Sequence, residues 1–526
     1  MSAVSAPTQA RPALAMPRPG AAVWRLLRLE LRRSPMLWML PLAVALFWYD
    51  AYRSSMAMPP MWDLRAMTMQ RAALVNFLPA VVGAAGWAGS RDGRRRIADL
   101  VAVTARPRWT RQLAAWAAVT CWAMVAYLGC VGVLYLAIAR QAAWGGPLWW
   151  PAAVGAAGIP ALSAVGFAAG AFFPSRSTAP LITVGTFFVF AVSAPLAHGG
   201  KSLGQISPLI VGAVDVGPDS GVATFYHYLP DLSIAQMMFL AGLSVAVLGA
   251  MGLPGRSGGR RLRRSAAGIT VAGLLAAGAA FALVDTARLD VHGMMIIPAL
   301  HDAANDRPIR YTPVCSHTAI PVCLNPAYQA YLPLVAAALE PVLSEVAGLP
   351  GAPTRVSQAA QTYQQEPANG ISNGATGPLV LPDLLPGERD PVVTSGEFAA
   401  QVRSDAANMI VDAVVGGSGG FVVRARDGRV PARSVQAMQA RVAVAVALLA
   451  DAGAPLQRDR GGVNVATGVT GLGPSPGNAV PGPVPGSPVY VAARRFAALP
   501  AAVQHAWLVT HLAALRAGHI TLAQLP

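Results

Sequence analysis

Few residues in this chain are spaced for chemistry. The segment PLAHGGKS (195–202) ends in the Gly-Lys-Ser of a nucleotide-binding loop. Such a loop cradles phosphates on backbone amides between a strand and a helix. Here position 195 is Pro where the motif needs Gly, and no strand pattern precedes it. The segment QHAWLVTH (504–511) carries two histidines, as a zinc-peptidase helix does. A metal pair on a helix stands four residues apart on one face, with a Glu after the first His. His505 and His511 are six apart, which puts them on opposite faces, and Ala506 follows His505. No Ser/His/Asp or Cys/His set suited to nucleophilic catalysis stands out. The expectation is a chain that is not an enzyme and has no catalytic, cofactor-binding or metal residues of its own. A degenerate, non-catalytic peptidase domain stays open for the C-terminal part.

Cys315 and Cys323 bracket the segment SHTAIPV. Outside the cytoplasm a disulfide closing a short loop is the natural reading. The rival is a metal site with His317 and His301. Cys121 and Cys130 lie in an apolar run and read as ordinary packing residues.

The wider chain explains why chemistry is scarce. Apolar residues make up 54% of it and charged residues only 12%, against roughly a quarter charged in an ordinary soluble domain. The net charge of +16 is unevenly placed. Residues 1–284 hold 24 Lys+Arg and 8 Asp+Glu, whereas residues 285–526 hold 16 of each. The excess therefore sits among the apolar blocks, where basic residues set membrane topology. That distribution, with no RNA- or DNA-binding motif, argues against nucleic acid as a partner. Lys201 is the only lysine; with heavy Ala, Gly and Pro usage this suggests a GC-rich bacterial genome. No cleavable signal peptide is read, and residues 1–20, Pro- and Ala-rich, are expected to be disordered.

A spanning helix needs roughly 20 largely apolar residues. Seven stretches qualify: 36–52, 72–89, 113–139, 149–173, 179–197, 233–254 and 267–285, the first being short and interrupted by Pro41. With the N-terminus inside, the inner segments 1–35, 90–112, 174–178 and 255–266 hold nineteen basic residues and the outer loops five. The rule that cationic loops stay inside then predicts seven crossings and residues from 286 onward outside the cytoplasm. The spans hold almost no ionisable residues, which argues against a carrier whose energy source lies within the membrane. Asn76, Thr120, Ser163, Thr183, Thr186 and Ser193 read as local or interhelix hydrogen-bonding groups. Gly166 and Gly170, and the stripe Gly83, Gly86 and Gly89, read as close-packing positions.

Two amphipathic elements fall on the inner side. In VWRLLRLELRR (23–33), Trp24, Leu27 and Leu31 share one helical face and Arg25, Arg28 and Arg32 another. Such a helix lies in the headgroup layer. In SRDGRRRIADLVAVTARPRWTRQ (90–112), Ser90 or Asp92 can cap a short helix. Ile97, Leu100, Val101 and Thr104 follow the i, i+3, i+4, i+7 spacing, and Pro107 bars continuation. Arg94, Arg95, Arg96 and Arg106 ring the apolar face of this 94–106 helix. A surface helix with that stripe wants a partner; the plainer reading is an arginine cluster that only sets topology.

An interfacial N-terminal helix, six spans and a short helix in the first inner loop resemble the permease subunits of ABC-2 type transporters. The run GRRRIADLVAVTARPRW (93–109) is similar to that family's pattern in this loop: charged residues, an apolar run of the form DLL-x-T-x-P, then a basic or aromatic residue. In that family the loop is the coupling helix that docks on the ATPase, and the correspondence falls on Asp99, Leu100, Val101, Thr104 and Pro107. The resemblance covers residues 20–255. It implies a separate ABC ATPase that binds the ATP, and a homodimer or paired permease in the lipid bilayer. It also implies that 198–232 folds back into the membrane surface. The family core ends after six helices, and here a seventh helix and an outer domain are added.

The expected fold is an α-helical polytopic membrane protein of about seven transmembrane helices, plus a C-terminal soluble domain of mixed α/β or mostly helical character. The expected divisions are an N-terminal tail (1–20), the interfacial helix (21–35) and a six-helix core (36–254). A basic loop with the seventh helix (255–285) and an extracytoplasmic domain (286–526) follow. In the latter, helices are expected at 326–347, 395–415, 432–453 and 497–516, and strands at 308–314, 378–382, 421–426 and 488–492. Residues 461–488 read as a Pro/Gly-rich linker. The expected function is the permease subunit of an ABC-2 type exporter in the bacterial plasma membrane. The alternative is a membrane-anchored sensor whose outer domain binds a ligand or an envelope partner.

Overall fold

The computed structural model describes residues 19–58, 61–94, 107–141, 145–196, 203–210, 226–254, 260–290, 294–358, 394–416, 432–451, 453, 458–459, 462–463 and 485–526. Helices dominate. In chain order, the first half carries α1 (Pro19–Arg33), α2 (Met36–Leu46), α3 (Arg53–Ala57), α4 (Trp62–Gly89), α5 (Arg91–Arg94), α6 (Arg108–Gln141), α7 (Trp150–Phe172), α8 (Thr178–Leu196), α9 (Asp231–Ala250) and α10 (Arg260–Asp285).

Five of these, α4, α6, α7, α9 and α10, are long and apolar enough to cross a membrane. Large apolar side chains such as Val125, Leu128, Leu136, Leu274 and Leu275 stand exposed on α6 and α10. A soluble surface would not keep such continuous faces, and the architecture is that of a helical membrane protein. The other two expected spans differ in detail. Residues 36–57 run helically but not as one α-helix, because a π-helical turn at Phe47–Tyr52 separates α2 from α3. α8 is a shorter apolar helix, with its apolar stretch at Thr178–Val192.

Small residues set the helix spacing. A β-carbon on Gly170 would lie 2.0 Å from the Gly86 carbonyl oxygen, and one on Gly166 would lie 2.5 Å from that of Val82. α4 and α7 therefore touch backbone to backbone, as GxxxG seams allow. α9 and α10 meet the same way, since a β-carbon on Gly273 would fall 2.3 Å from the Ala246 amide nitrogen.

The polar groups in the bundle are locally paired. Ser163 Oγ lies 2.9 Å from Thr120 Oγ1 and accepts from Trp116 Nε1 at 3.0 Å. Thr183 and Thr186 donate to carbonyls one turn back on their own helix; the Ser193 side chain lies outside the described residues. The few ionisable side chains among these helices are also partnered. The π-turn carries Asp50, whose carboxylate accepts from Ser54 Oγ and from Asn76 Nδ2. Arg65, expected in an outer loop, is 3% exposed in α4; it donates to Met58 O at 3.2 Å and Gln141 Oε1 at 2.9 Å. The segment 203–210 is tucked between helices. Gln236 Nε2 donates to Ser207 O and Ile210 O, and Gln70 Nε2 to Pro208 O, at 2.7–2.8 Å. Non-helical backbone held among apolar helices needs such partners for its carbonyls.

A hairpin of β1 (Arg288–Leu289) and β2 (Met295–Ile296) covers the far ends of α9 and α10 through Met295 and Ile297. Buried Asp231, in the first turn of α9, accepts from Ile297 N at 3.0 Å. Beyond it, β3 (Val314–Cys315), β4 (Val322–Leu324) and β5 (Val356–Ser357) form a three-stranded sheet in that order, β3/β4 antiparallel and β4/β5 parallel. Against it lie α11 (Leu332–Val346), α12 (Ser395–Gly416), α13 (Ala432–Asp451), α14 (Pro488–Ala497) and α15 (Ala501–Arg516). Leu339, Phe398, Val411, Leu448, Phe496 and Leu512 are fully buried in their shared core, each worth roughly 1.5–3 kcal/mol relative to exposure. Met61, from the turn before α4, joins the same cluster.

Two strand expectations are corrected. Residues 488–492 are helical, because Ser487 caps α14 by accepting from Tyr490 N and Pro488 opens it. Val489, Ala492, Ala493 and Phe496 then bury one helical face. At 308–314 the pairing is confined to a bridge at Pro308 and the short β3, since prolines at 308 and 313 remove two donors. The helix expected at 497–516 begins at Ala501, after Pro500. The strand candidates 378–382 and 421–426, most of the 461–488 linker and nearly all of the 1–20 tail lie outside the described residues.

Candidate coupling face

The candidate site lies at the arginine-bearing end of the bundle, where α1 meets the loop between α4 and α6. α1 turns Leu26, Leu27, Glu30 and Leu31 inward, half-buried, and leaves Arg25, Arg28, Arg32 and Arg33 exposed. Trp122 of α6 fixes it by donating from Nε1 to Leu31 O at 3.0 Å. Leu27 and Leu31 thus both lie on the half-buried side of α1. Trp24 is 61% exposed, since the half-buried side follows 26, 27, 30 and 31 and is rotated away from position 24.

The loop leaves α4 without a break. Ser90 N and Arg94 N continue the helical ladder to Gly86 O and Ser90 O at 3.0 Å. Ser90 Oγ donates back to Trp87 O and caps nothing, contrary to the expected helix start there. α5 then carries Arg91 across to α1. Arg91 Nη1 and Nη2 each donate to one carboxylate oxygen of Glu30 at 2.9 Å, a bidentate pair. That pairing pushes the Arg91 guanidinium above its ordinary value; it is a permanent cation in any case. Gly93 is pressed to the loop after α7, since a β-carbon there would lie 2.4 Å from Pro174 Cβ.

Of the residues expected to form the coupling helix, Arg94 and Pro107 are described. Arg94 stacks on Trp87 with its guanidinium carbon 3.5 Å from the ring centroid and donates to Trp87 O at 3.0 Å. A cation so placed is held at the bundle end by the ring quadrupole. Pro107 precedes α6 and is half-buried. Arg95, Ile97, Asp99, Leu100, Val101 and Thr104 lie outside the described residues. Sequence reasoning missed Glu30, Arg91 and Trp122. Glu30 was the available signal, as the sole acid among the first 35 residues and their six arginines.

At the other end, Cys315 and Cys323 are Cα partners across β3 and β4, and their sulfurs are bonded to each other. His301 is engaged elsewhere, with Nε2 2.8 Å from Asp306 Oδ1 and Nδ1 3.3 Å from Asp231 Oδ2, and His317 is exposed. Among the described residues no three His, Cys, Asp or Glu side chains are grouped to hold a metal. His511 stacks on Trp507 and its Nδ1 lies 3.0 Å from Trp507 O. His505 sits beside Glu345, one helix away. No family model matches the chain, and neither a curated protein nor a solved structure matches it.

Proposed function

We propose that this chain is the membrane-spanning subunit of an ABC-2 type transporter, acting as an exporter in a bacterial plasma membrane. A separate cytoplasmic ATPase binds the ATP and drives it. The permease works as a homodimer or paired with a second permease. The observation that supports this reading best is the bidentate Glu30–Arg91 pair. It ties an amphipathic helix to the segment leading into loop 95–106, so a push on that loop is delivered to α1, α4 and α6 together. In this reading Ile97, Leu100 and Val101 form the apolar centre of the docking surface and the arginines its rim. Closure of the ATPase pair moves the loop and switches the pathway between the helices. The N-terminus lies inside, seven segments cross, and the outer domain faces the envelope. The sensor alternative draws on one contact, Met61 in the core of the outer domain, which links that domain to the turn before α4.

The test is purification of the tagged full chain from its own membranes in mild detergent. The transporter reading expects a stoichiometric ATPase subunit with a nucleotide-binding loop. Purification without one, with transport-competent membranes as the source, overturns it.

A further inference from the structure

A cleft of about 150 Å³ opens at the arginine-bearing end of the bundle, between α6, α7, α9 and α10. Arg108 and Gln112, one turn apart on α6, supply its polar lining. Phe172, Met251 and Leu262 supply the apolar part. Trp109 is a fixed wall, because its Nε1 already donates to Leu248 O at 2.9 Å. Among the described residues no lining side chain is acidic. Leu262 belongs to the run RRLRR (260–264) in the first turn of α10. Both α6 and α10, membrane-length helices, begin here, which brings the positive ends of their dipoles to this end of the bundle.

The geometry points to a binding site for an anionic glycerophospholipid. Its phosphate sits on Arg108, Gln112 and the first turn of α6, with an acyl chain along Phe172 and Leu262. Three features select this occupant. The cleft lies where spanning helices begin, which is the headgroup level. Its charge is one-signed and complementary to phosphate. Phe172 is 52% exposed, which leaves an apolar exit along the bundle. A zwitterionic lipid would bring an ammonium group beside Arg108 and lose this advantage. The site depends on the membrane placement of these helices and not on the transport reading.

The experiment is native mass spectrometry of the detergent-purified full chain, with palmitoyl-oleoyl phosphatidylglycerol, the matching phosphatidylcholine, or glycerol 3-phosphate added. The expected result is one phosphatidylglycerol retained under activation that strips phosphatidylcholine. Arg108→Gln should weaken retention about tenfold, the loss of one charge-assisted contact. Ala171→Phe, which narrows the cleft without changing charge, should abolish retention while the protein stays monodisperse. Arg28→Gln on exposed α1 should leave it unchanged. Equal retention of phosphatidylcholine, or unchanged retention in Arg108→Gln, overturns the site. Competition by glycerol 3-phosphate as strong as by the lipid overturns the lipid assignment.

Discussion

Arg91 and Glu30 lie 61 residues apart in the chain, yet each Arg91 terminal nitrogen donates to one Glu30 oxygen at 2.9 Å. The two side chains are 28% and 16% exposed. Screening by water is therefore partial, and a bidentate geometry adds directionality. Through this contact an element with the composition of a surface helix becomes part of the bundle.

The pair should behave as a unit. Glu30→Ala and Arg91→Ala should each lower stability in detergent by about 1 kcal/mol, and the double variant by little more. Chemical unfolding of the four proteins gives the coupling. Fully additive losses would mean that the two side chains act independently.

The α4–α7 seam should tolerate no side chain. Gly170→Leu forces a clash with the Gly86 carbonyl, and overpacking of this kind costs about 1–3 kcal/mol or more. Monodisperse yield should collapse. Gly185→Ala, where a β-carbon meets nothing within 4 Å, should express normally. Equal yields would show that the close approach is not required.

These contacts mark where the sequence was legible. Length and apolarity exposed the long helices, and GxxxG spacing exposed the seam, because both depend on local pattern. The π-turn carrying Asp50 and the capture of Gln70 by Pro208 O were hidden, since each depends on a partner far along the chain. The 488–492 segment misled because Val-Tyr-Val looks β-like, and only the Ser487 cap with Pro488 behind it announces a helix.

Cys315 and Cys323 should be oxidised in the purified protein, giving a linked peptide pair in non-reducing mass mapping. In intact cells Cys315, the exposed partner, should react with a membrane-impermeant thiol reagent only after reduction. Alkylation of both free thiols without reduction would refute the bridge, and protection after reduction would contradict the outer placement of the domain.

Asp451 and Glu345 should make the outer domain less stable as pH rises. Burial pushes both carboxyls above their ordinary values, 3.8 and 4.5; Asp451 raises Glu345 further, His505 offsets this at Glu345, and the Gln504 hydrogen bond offsets it at Asp451. A raised value means the folded state holds the proton more tightly, so stability falls as pH passes from the unfolded value through the folded one. Asp451→Asn keeps an acceptor for Gln504 Nε2, 3.1 Å away. It should raise the melting temperature of the full chain at pH near 7, by less than about 1 kcal/mol equivalent. The gain should vanish below pH of about 4. A variant less stable than the parent at neutral pH would contradict this account.

The central claim is that loop 95–106 carries the ATPase. Leu100→Asp places a charge at the centre of the apolar stripe, where loss of a buried anchor commonly costs on the order of 1–2 kcal/mol or more. Arg95→Ala removes only a rim charge, which acts mainly on association rate and salt dependence. The measurement is co-purification of the ATPase with full-length parent, Leu100→Asp and Arg95→Ala proteins inserted to equal levels. The account predicts that Leu100→Asp loses the ATPase, while Arg95→Ala keeps most of it at low salt. An ATPase retained undiminished by Leu100→Asp, or a loss that follows only the removal of several arginines, would contradict it.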